Sequence, residues 1–586
     1  MLAALDHRDS LVVLPTGGGK SLCYQAPALL SEGVTVIVSP LISLMKDQVD
    51  GLRANGIAAA QVNSSISFAE LRQVERDLAA GKLKLLFVSP ERLAIPDFRE
   101  MLKRTGVTAF AIDEAHCISH WGHDFRPEYR QLRVVRQEFP NASMHAYTAT
   151  ATPGVREDVV RQLSLRDPAI LVGDFDRPNL TFRVLPRQDE MKQVLDVLAR
   201  HRGNAGIIYC TRRKDVDDLA QKLRKRGENV VAYHAGMTQD ERREAQEKFC
   251  TEKCDIVVAT VAFGMGIDRS NVRFVLHTGM PKSIEHYQQE SGRAGRDGLE
   301  AECILLYSGS DLMLWKSMLG DSSGDAEFQK SSLQHLYDMD RYCSGAVCRH
   351  RALVEYFGQR LAGESCQACD ICLGETEEVS DALTVAQKIV SCVYRVKESW
   401  GVNHVIGILR GEDTEKIRER GHDQLSTYGL LKGCTRHDVR EWTYQLIAQD
   451  FLAQSNGEYP VLTLGPRARE VLKGYADVRL RQPAVRKKDA GSGTASRRAA
   501  PIADAGPYDR ELFEVLRTWR REEAQERGVP PYVIFSDKTL RELARIRPTT
   551  LTELRGIYGI GDAKLEAFGD AIVKQMREHE QTAVEL

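Results

Sequence analysis

The stretch LVVLPTGGGKS (11–21) constrains this chain more than any other. An apolar run at 11–14 has the length of a short buried strand. Three glycines then force a loop, and Lys20 and Ser21 open a helix. A triphosphate cradle needs this order: backbone N–H groups of Thr16, Gly17, Gly18 and Gly19 surround the phosphates, Lys20 reaches β- and γ-oxygens, and the Ser21 hydroxyl holds Mg²⁺. The longer pattern G-x-x-x-x-G-K-[ST] would place glycine at Leu14, so the match is to the shorter TGxGKS form. A glycine-rich turn with an accidental Lys-Ser is the competing reading. It loses ground once the complementary acids are found.

Those acids follow the apolar run 110–112, which ends in Asp113, Glu114, Ala115 and His116. A strand tip delivering two adjacent carboxylates suits Mg²⁺, held by Asp113 through water, and an attacking water oriented by Glu114. Alone, such a pair is more often a solvated surface. Farther on, QQESGRAGRDG (288–298) sets two arginines three apart among glycines. A planar guanidinium matches the charge spread over a transferring phosphoryl group, so Arg296 is expected as a finger and Arg293 as its support. The alternative is a basic surface turn.

Up to about residue 310, short β-branched runs (11–14, 34–38, 85–88, 110–112, 206–209, 255–258, 272–277) alternate with helical stretches. Such alternation reads as parallel sheets with crossover helices, hence an α/β fold. The strands number about twice what one sheet holds, so we divide them into two lobes, 1–175 and 176–312. No run reaches the roughly 18 apolar residues that span a bilayer, and MLAALDHRDS lacks a secretory signal, so the cytoplasm and no membrane are expected. The formal net charge is −2, so a nucleic-acid site has to be a local basic patch rather than a global property.

Thirteen cysteines in 586 residues do not make a disulfide scaffold, and their bunching points to a metal. Cys348 precedes a helical segment, and Cys366, Cys369 and Cys372 follow as CxxCxxC. Four thiolates fill tetrahedral Zn²⁺ and leave no open position for water activation. An unmetallated thiol group and an Fe–S cluster are the rivals. A helical segment then ends in the hairpin-like FLAQSNGEYPVLTL (451–464). Residues 478–505, basic and rich in Gly, Ser, Ala and Pro, read as a flexible linker. A last helical module fills 506–586.

The ordered series TGGGKS (16–21), SPLISLMKDQV (39–49), SPERL (89–93), DEAH (113–116), TATAT (148–152), YCTRRKDVDDLA (209–220), YHAGM (233–237), ATVAFGMGIDRSNVRFVLH (259–277) and QQESGRAGRDG (288–298) resembles superfamily-2 helicases, and RecQ DNA helicases in particular. The resemblance covers nearly the whole chain except the linker. It implies two RecA-like lobes, a helical hairpin with a zinc subdomain (313–378), a winged-helix domain (379–477) and a small all-α HRDC domain (506–586). The implied activity is ATP-dependent 3′–5′ unwinding of duplex, forked or junction DNA by movement on single strands, in recombination and repair.

By the same resemblance, Gly266 and Asp268 belong to the second-lobe part of the nucleotide site, and Thr148 and Thr150 link ATP state to lobe movement. CISHWGHDFRPEY (117–129) is similar to the aromatic-rich loop that couples DNA to hydrolysis. Its residues suit that role: Trp121 and Phe125 can stack on bases, with His120, His123 and Arg126 as polar and cationic contacts, or the aromatics pack between lobes. Cys343 falls at a position that is not a ligand in the family. In the winged helix, a helix at 435–449 faces wing strands at 450–454 and 459–464, where Tyr459 either presses on a base pair or packs. GIGDAK (560 region) in the HRDC resembles a helix–hairpin–helix turn that meets phosphate or a protein. Single-strand-binding protein and topoisomerase are the implied partners. The family's adenine-reading segment upstream of the P-loop is missing, and a gene model begun too far downstream is the expected reason. An RNA helicase and a non-hydrolysing DNA-binding scaffold are the competing functions.

Overall fold

The computed structural model describes residues 1–119, 121–122, 124–264, 269–320, 326–345, 347–363, 365–455, 461–483 and 508–584. The apolar runs of the first half become strands because each is bounded by turn residues and is too short to bury a helical stripe. Among the described residues, the first sheet holds β1 (Ser10–Val13), β2 (Val34–Val38), β3 (Ala59–Val62), β4 (Leu85–Val88), β5 (Val107–Ile112), β6 (Ser143–Thr148) and β7 (Ala169–Val172), in the order β3-β4-β2-β5-β6-β1-β7. The second holds β8 (Leu180–Pro186), β9 (Ala205–Tyr209), β10 (Val230–Tyr233), β11 (Ile256–Ala259), β12 (Val272–His277) and β13 (Ala301–Tyr307), in the order β10-β11-β9-β12-β13-β8. Every pairing in both sheets is parallel. Helices therefore cover both faces, and the loops at the carboxyl ends of the strands are where chemistry collects.

One apolar core runs from the first sheet through the second and on to Phe357 and Cys369. The lobes are joined near Phe175, whose ring stacks on Phe357 at 4.4 Å between centroids. Gln359 fastens the same junction, donating to the Gly173 carbonyl at 2.9 Å and accepting from the Phe175 amide at 2.9 Å. The helices Ser310–Gly320 and Ala326–Ser344 lead to the cysteine-rich unit.

The next module has its own core around Ile389, Ile406, Leu446 and Phe451. Thr435 caps the helix Arg436–Ala448 through a capping box with Asp438. The wing strands are shorter than the sequence suggests: β15 (Leu452–Gln454) pairs antiparallel with β16 (Leu462–Leu464). The linker begins later than expected. Leu480 is fully buried in this core, and β17 (Arg481–Pro483) pairs antiparallel with β14 (Thr376–Glu378), so 478–483 belong to the folded module. Arg481 and Gln482 sit on that strand, and the arginine charge with the polar amide imitates a linker. The rest of the expected linker lies outside the described residues. The C-terminal module is all helical, with Leu516, Leu540 and Ile572 in its core. No described helix is long and apolar enough to cross a membrane.

Candidate nucleotide, zinc and DNA sites

β1 ends against β6, where the Leu14 amide donates to the Thr148 carbonyl at 3.1 Å, and the chain turns into the phosphate loop. Gly17 and Gly19 take φ of +83° and +79°, conformations that a side chain would strain. Gly19 is the N-cap of the helix Lys20–Leu30, so the amides of that first turn face the loop. Lys20 donates to the Leu14 carbonyl at 3.3 Å, which holds its ammonium inside the loop.

β5 delivers the acids. The Asp113 amide donates to the Val38 carbonyl at 2.8 Å, and Tyr129 O–H donates to the Asp113 carbonyl at 3.0 Å. Glu114 has φ +47°, a left-handed conformation rare for a side-chain-bearing residue, and it turns the carboxylate back towards His116 at 3.3 Å. The two carboxyls titrate in opposite directions. Burial, reinforced by the charge of Glu114, raises Asp113. Burial also works to raise Glu114, but a hydrogen bond from His116 and the charges of Lys20 and Arg293 outweigh it and lower Glu114. A buried acid pair crowded in this way fits a divalent cation beside the phosphate loop.

The second lobe meets this site. A Cβ built on Gly17 would lie 3.4 Å from Cγ of Arg296, so the Arg296 side chain runs across the phosphate loop. Arg293 is 6% exposed and close enough for its charge to act on Glu114. Lys20, Asp113, Glu114, Arg293 and Arg296 thus share one cleft. Two supports were not read from the sequence. Tyr209 donates to the Phe263 carbonyl at 2.8 Å, and burial pushes it up to about 12 against the pull of Arg293. Gln289 donates to the Thr150 hydroxyl at 3.4 Å across the lobes, while Thr148 pairs with the His116 ring at 2.9 Å. Neither motif position signals its partner: the Tyr209 contact joins segments distant in sequence within the second lobe, and the Gln289 contact exists only where the two lobes meet. Gly266 and Asp268 lie outside the described residues.

In the loop after the acids, Trp121 is 61% exposed, so it is not packed between the lobes. Phe125 lies under the Arg130 guanidinium at 5.2 Å, and Arg126 donates to the Pro40 carbonyl at 3.3 Å and pairs with Asp124. His120, His123 and, in the wing, Tyr459 lie outside the described residues.

The Sγ atoms of Cys348, Cys366, Cys369 and Cys372 all lie within 4.8 Å of one another, and Cys348 and Cys369 are 4.0 Å apart. Bonds of about 2.3 Å to a tetrahedral Zn²⁺ put thiolates roughly 3.8 Å apart, so the four fit the ion. Cys343, buried nearby, is not in the cluster. The unit is fastened to β8: Phe182 N–H donates to the Ala368 carbonyl at 3.0 Å, and Asp370 N–H returns a bond to Phe182 at 3.0 Å. Arg349 clamps the Asp370 carboxylate through two donors at 3.0 and 3.1 Å.

Family models match the chain in sequence: DEAD/DEAH box helicase at 1–159, helicase conserved C-terminal domain at 189–298, RecQ zinc-binding at 309–373, RQC domain at 376–489 and HRDC domain at 509–575. The chain is 42% identical to the ATP-dependent DNA helicase RecQ of Pasteurella multocida over 99% of its own length and 90% of that protein. The chain belongs to the RecQ family of ATP-dependent DNA helicases. The RecQ of Bacillus subtilis is 40% identical, over 97% of this chain and 93% of that protein. The RecQ-like DNA helicase BLM of Xenopus laevis is 32% identical, over 99% of this chain and 45% of that protein. As a RecQ helicase it is an ATP-hydrolysing enzyme acting on DNA, with ATP, Mg²⁺ and Zn²⁺ as its cofactors. The two RecA-like lobes, the RQC winged helix and the HRDC are its architecture.

Proposed function

We propose that this RecQ helicase moves 3′–5′ on single-stranded DNA and opens forked, junction and duplex DNA in recombination and repair, using one ATP site shared between its lobes. Thr16 to Ser21 cradle the phosphates, with Ser21 and Asp113 holding Mg²⁺, and Gly266 and Asp268 complete the site from the second lobe. Glu114 orients the attacking water. Arg296 meets the charge developing on the γ-phosphoryl group, and Arg293 steadies Glu114. When bound, Mg²⁺ neutralises phosphate charge. Zn²⁺ held by Cys348, Cys366, Cys369 and Cys372 supplies structure only. Trp121, Phe125, Arg126, His120, His123 and Tyr459 are the DNA contacts.

The observation carrying this reading is Arg296 lying across Gly17, with Glu114 under the charges of both Lys20 and Arg293. We assign the lobes to 1–175 and 176–312, the zinc subdomain to 313–378, the winged helix to 379–483 and the HRDC to 506–586. Single-strand-binding protein and topoisomerase are its partners, in a bacterial cytoplasm at the nucleoid. Turnover of ATP measured with single-stranded DNA, with RNA and with no polymer tests the reading. Stimulation selective for DNA is expected, and equal stimulation by RNA overturns it.

A further inference from the structure

The back of the second lobe, away from the ATP cleft, carries Glu252, which is 3% exposed at its side chain and held at φ +59°. The HRDC helix Arg510–Glu526 sets three arginines against it. Arg520, 1% exposed, donates to Glu252 at 3.0 Å and to Asp537 of its own domain at 2.8 Å. Arg521 approaches Glu252 at 3.6 Å, and Arg517 lies 3.9 Å from Glu252 and 3.8 Å from Asp255. Arg517 also donates to the Gly203 carbonyl at 3.0 Å. Charges this deeply buried are tolerated only when paired, so this is a specific seat and not a loose surface contact.

The seat continues inward. Glu252 accepts from the Asn271 side chain at 3.1 Å. Arg269, also 1% exposed, donates to the Asn271 side chain at 2.8 Å and to Asp255 at 2.6 Å. Arg273 donates to the Asn271 carbonyl at 3.2 Å and pairs with Asp297, the residue next to Arg296. The Asp537 carboxyl feels the far end as well: burial raises it, while Arg520 and then Arg273 pull it below its ordinary value. An unbroken run of buried polar contacts therefore joins the HRDC helix to the loop carrying the arginine finger.

We propose that docking of the HRDC on Glu252 is energetically coupled to nucleotide binding, through Asn271, Arg273 and Asp297 to the Arg296 loop. The inference rests on the assignment of Arg296 to the ATP site. Because coupling between sites is reciprocal, loss of docking changes nucleotide affinity by the factor by which nucleotide changes docking. The Glu252 carboxylate is the hub, so Glu252→Gln removes the charge that Arg517, Arg520 and Arg521 share. Arg517→Ala removes a contact from the HRDC side and leaves the second lobe intact.

The test uses the full-length chain and both variants. Hydrogen exchange over 510–524 and 249–255 reports docking, and titration with a non-hydrolysable ATP analogue and Mg²⁺ gives the dissociation constant. The expected result is faster exchange in both segments, with the dissociation constant shifted at least about fivefold in the same direction in both variants. Two results overturn the proposal: undocking with an unchanged dissociation constant, or unchanged exchange in both variants. Arg296→Ala turnover judges the finger assignment separately, since it does not involve the exchange readout.

Discussion

At the level of single residues, the ATP site is a contest between crowding and compensation. Lys20 stands within the field of both acids, and its ammonium is held in the loop by the Leu14 carbonyl. Lys20→Ala is expected to abolish unwinding while leaving DNA binding intact, measured by strand separation and by binding to a labelled single strand. Unwinding that persists would remove the phosphate-loop assignment. Arg296→Ala acts on the transition state and not on ground-state binding. A finger contributes roughly 10³–10⁵ in kcat, so turnover should fall within that range while the analogue still binds. A fall below tenfold would make Arg296 a surface contact. The sequence exposed Lys20, Asp113, Glu114 and Arg296 because phosphate chemistry demands those residue types at fixed local spacings. It concealed Tyr209 and Gln289, whose roles arise from partners at Phe263 and Thr150 on distant segments.

At the level of elements, strands such as Val34–Val38 and Val272–His277 were legible as β-branched runs, since parallel strands are buried on both faces. The strand Arg481–Pro483 was not, because it pairs through its backbone and its one basic residue, Arg481, is held by Thr376 and Glu378 on the partner strand, which sequence does not reveal. The cysteine-rich unit was legible by spacing alone, but its attachment to β8 was not. That attachment gives Cys369→Ser a double effect: zinc content should fall, and the melting temperature with it, because Cys369 is fully buried beside Phe182. A normal zinc stoichiometry would take Cys369 out of the ligand set.

The helix Arg436–Ala448 brings another buried acid to the hairpin, Glu441, which burial pushes from 4.5 up to about 7. Asp311 and Asp340 act on it in the same direction, and Asp340 is itself pushed up by burial to about 6. The folded chain thus keeps a proton on Glu441 over a pH range in which the unfolded chain has lost it. The stability from this group is fully present below about 4.5 and is lost as pH rises through about 7. At about 1.4 kcal/mol per pH unit, the loss is on the order of 3–4 kcal/mol. Glu441→Gln should therefore raise the melting temperature at pH 8, by an increment that shrinks as the pH is lowered towards 5. An increment independent of pH would assign the effect to packing.

At the level of the whole molecule, the question is how a strand bound on one side of the cleft reaches an ATP bound within it. The chain carries a net charge of −2, so a diffuse electrostatic pull on DNA is not available and the contact has to be local. The contact we propose is Trp121, 61% exposed in the loop that follows the acids. Inward from that loop, His116 pairs with Thr148, and Thr150 accepts from Gln289 of the second lobe. The same loop reaches across the cleft through Asp124: burial lowers the Lys282 ammonium below its ordinary value, and the Asp124 charge is close enough to offset part of that. A base stacked on Trp121 contributes roughly 1–3 kcal/mol, enough to shift the loop between two arrangements and with it the distance between the lobes. Trp121→Ala should accordingly leave unstimulated ATP turnover and analogue binding unchanged while DNA-stimulated turnover falls about tenfold or more. If stimulation survives the substitution, the signal enters the motor elsewhere, and Trp121 is an exposed ring with no part in coupling.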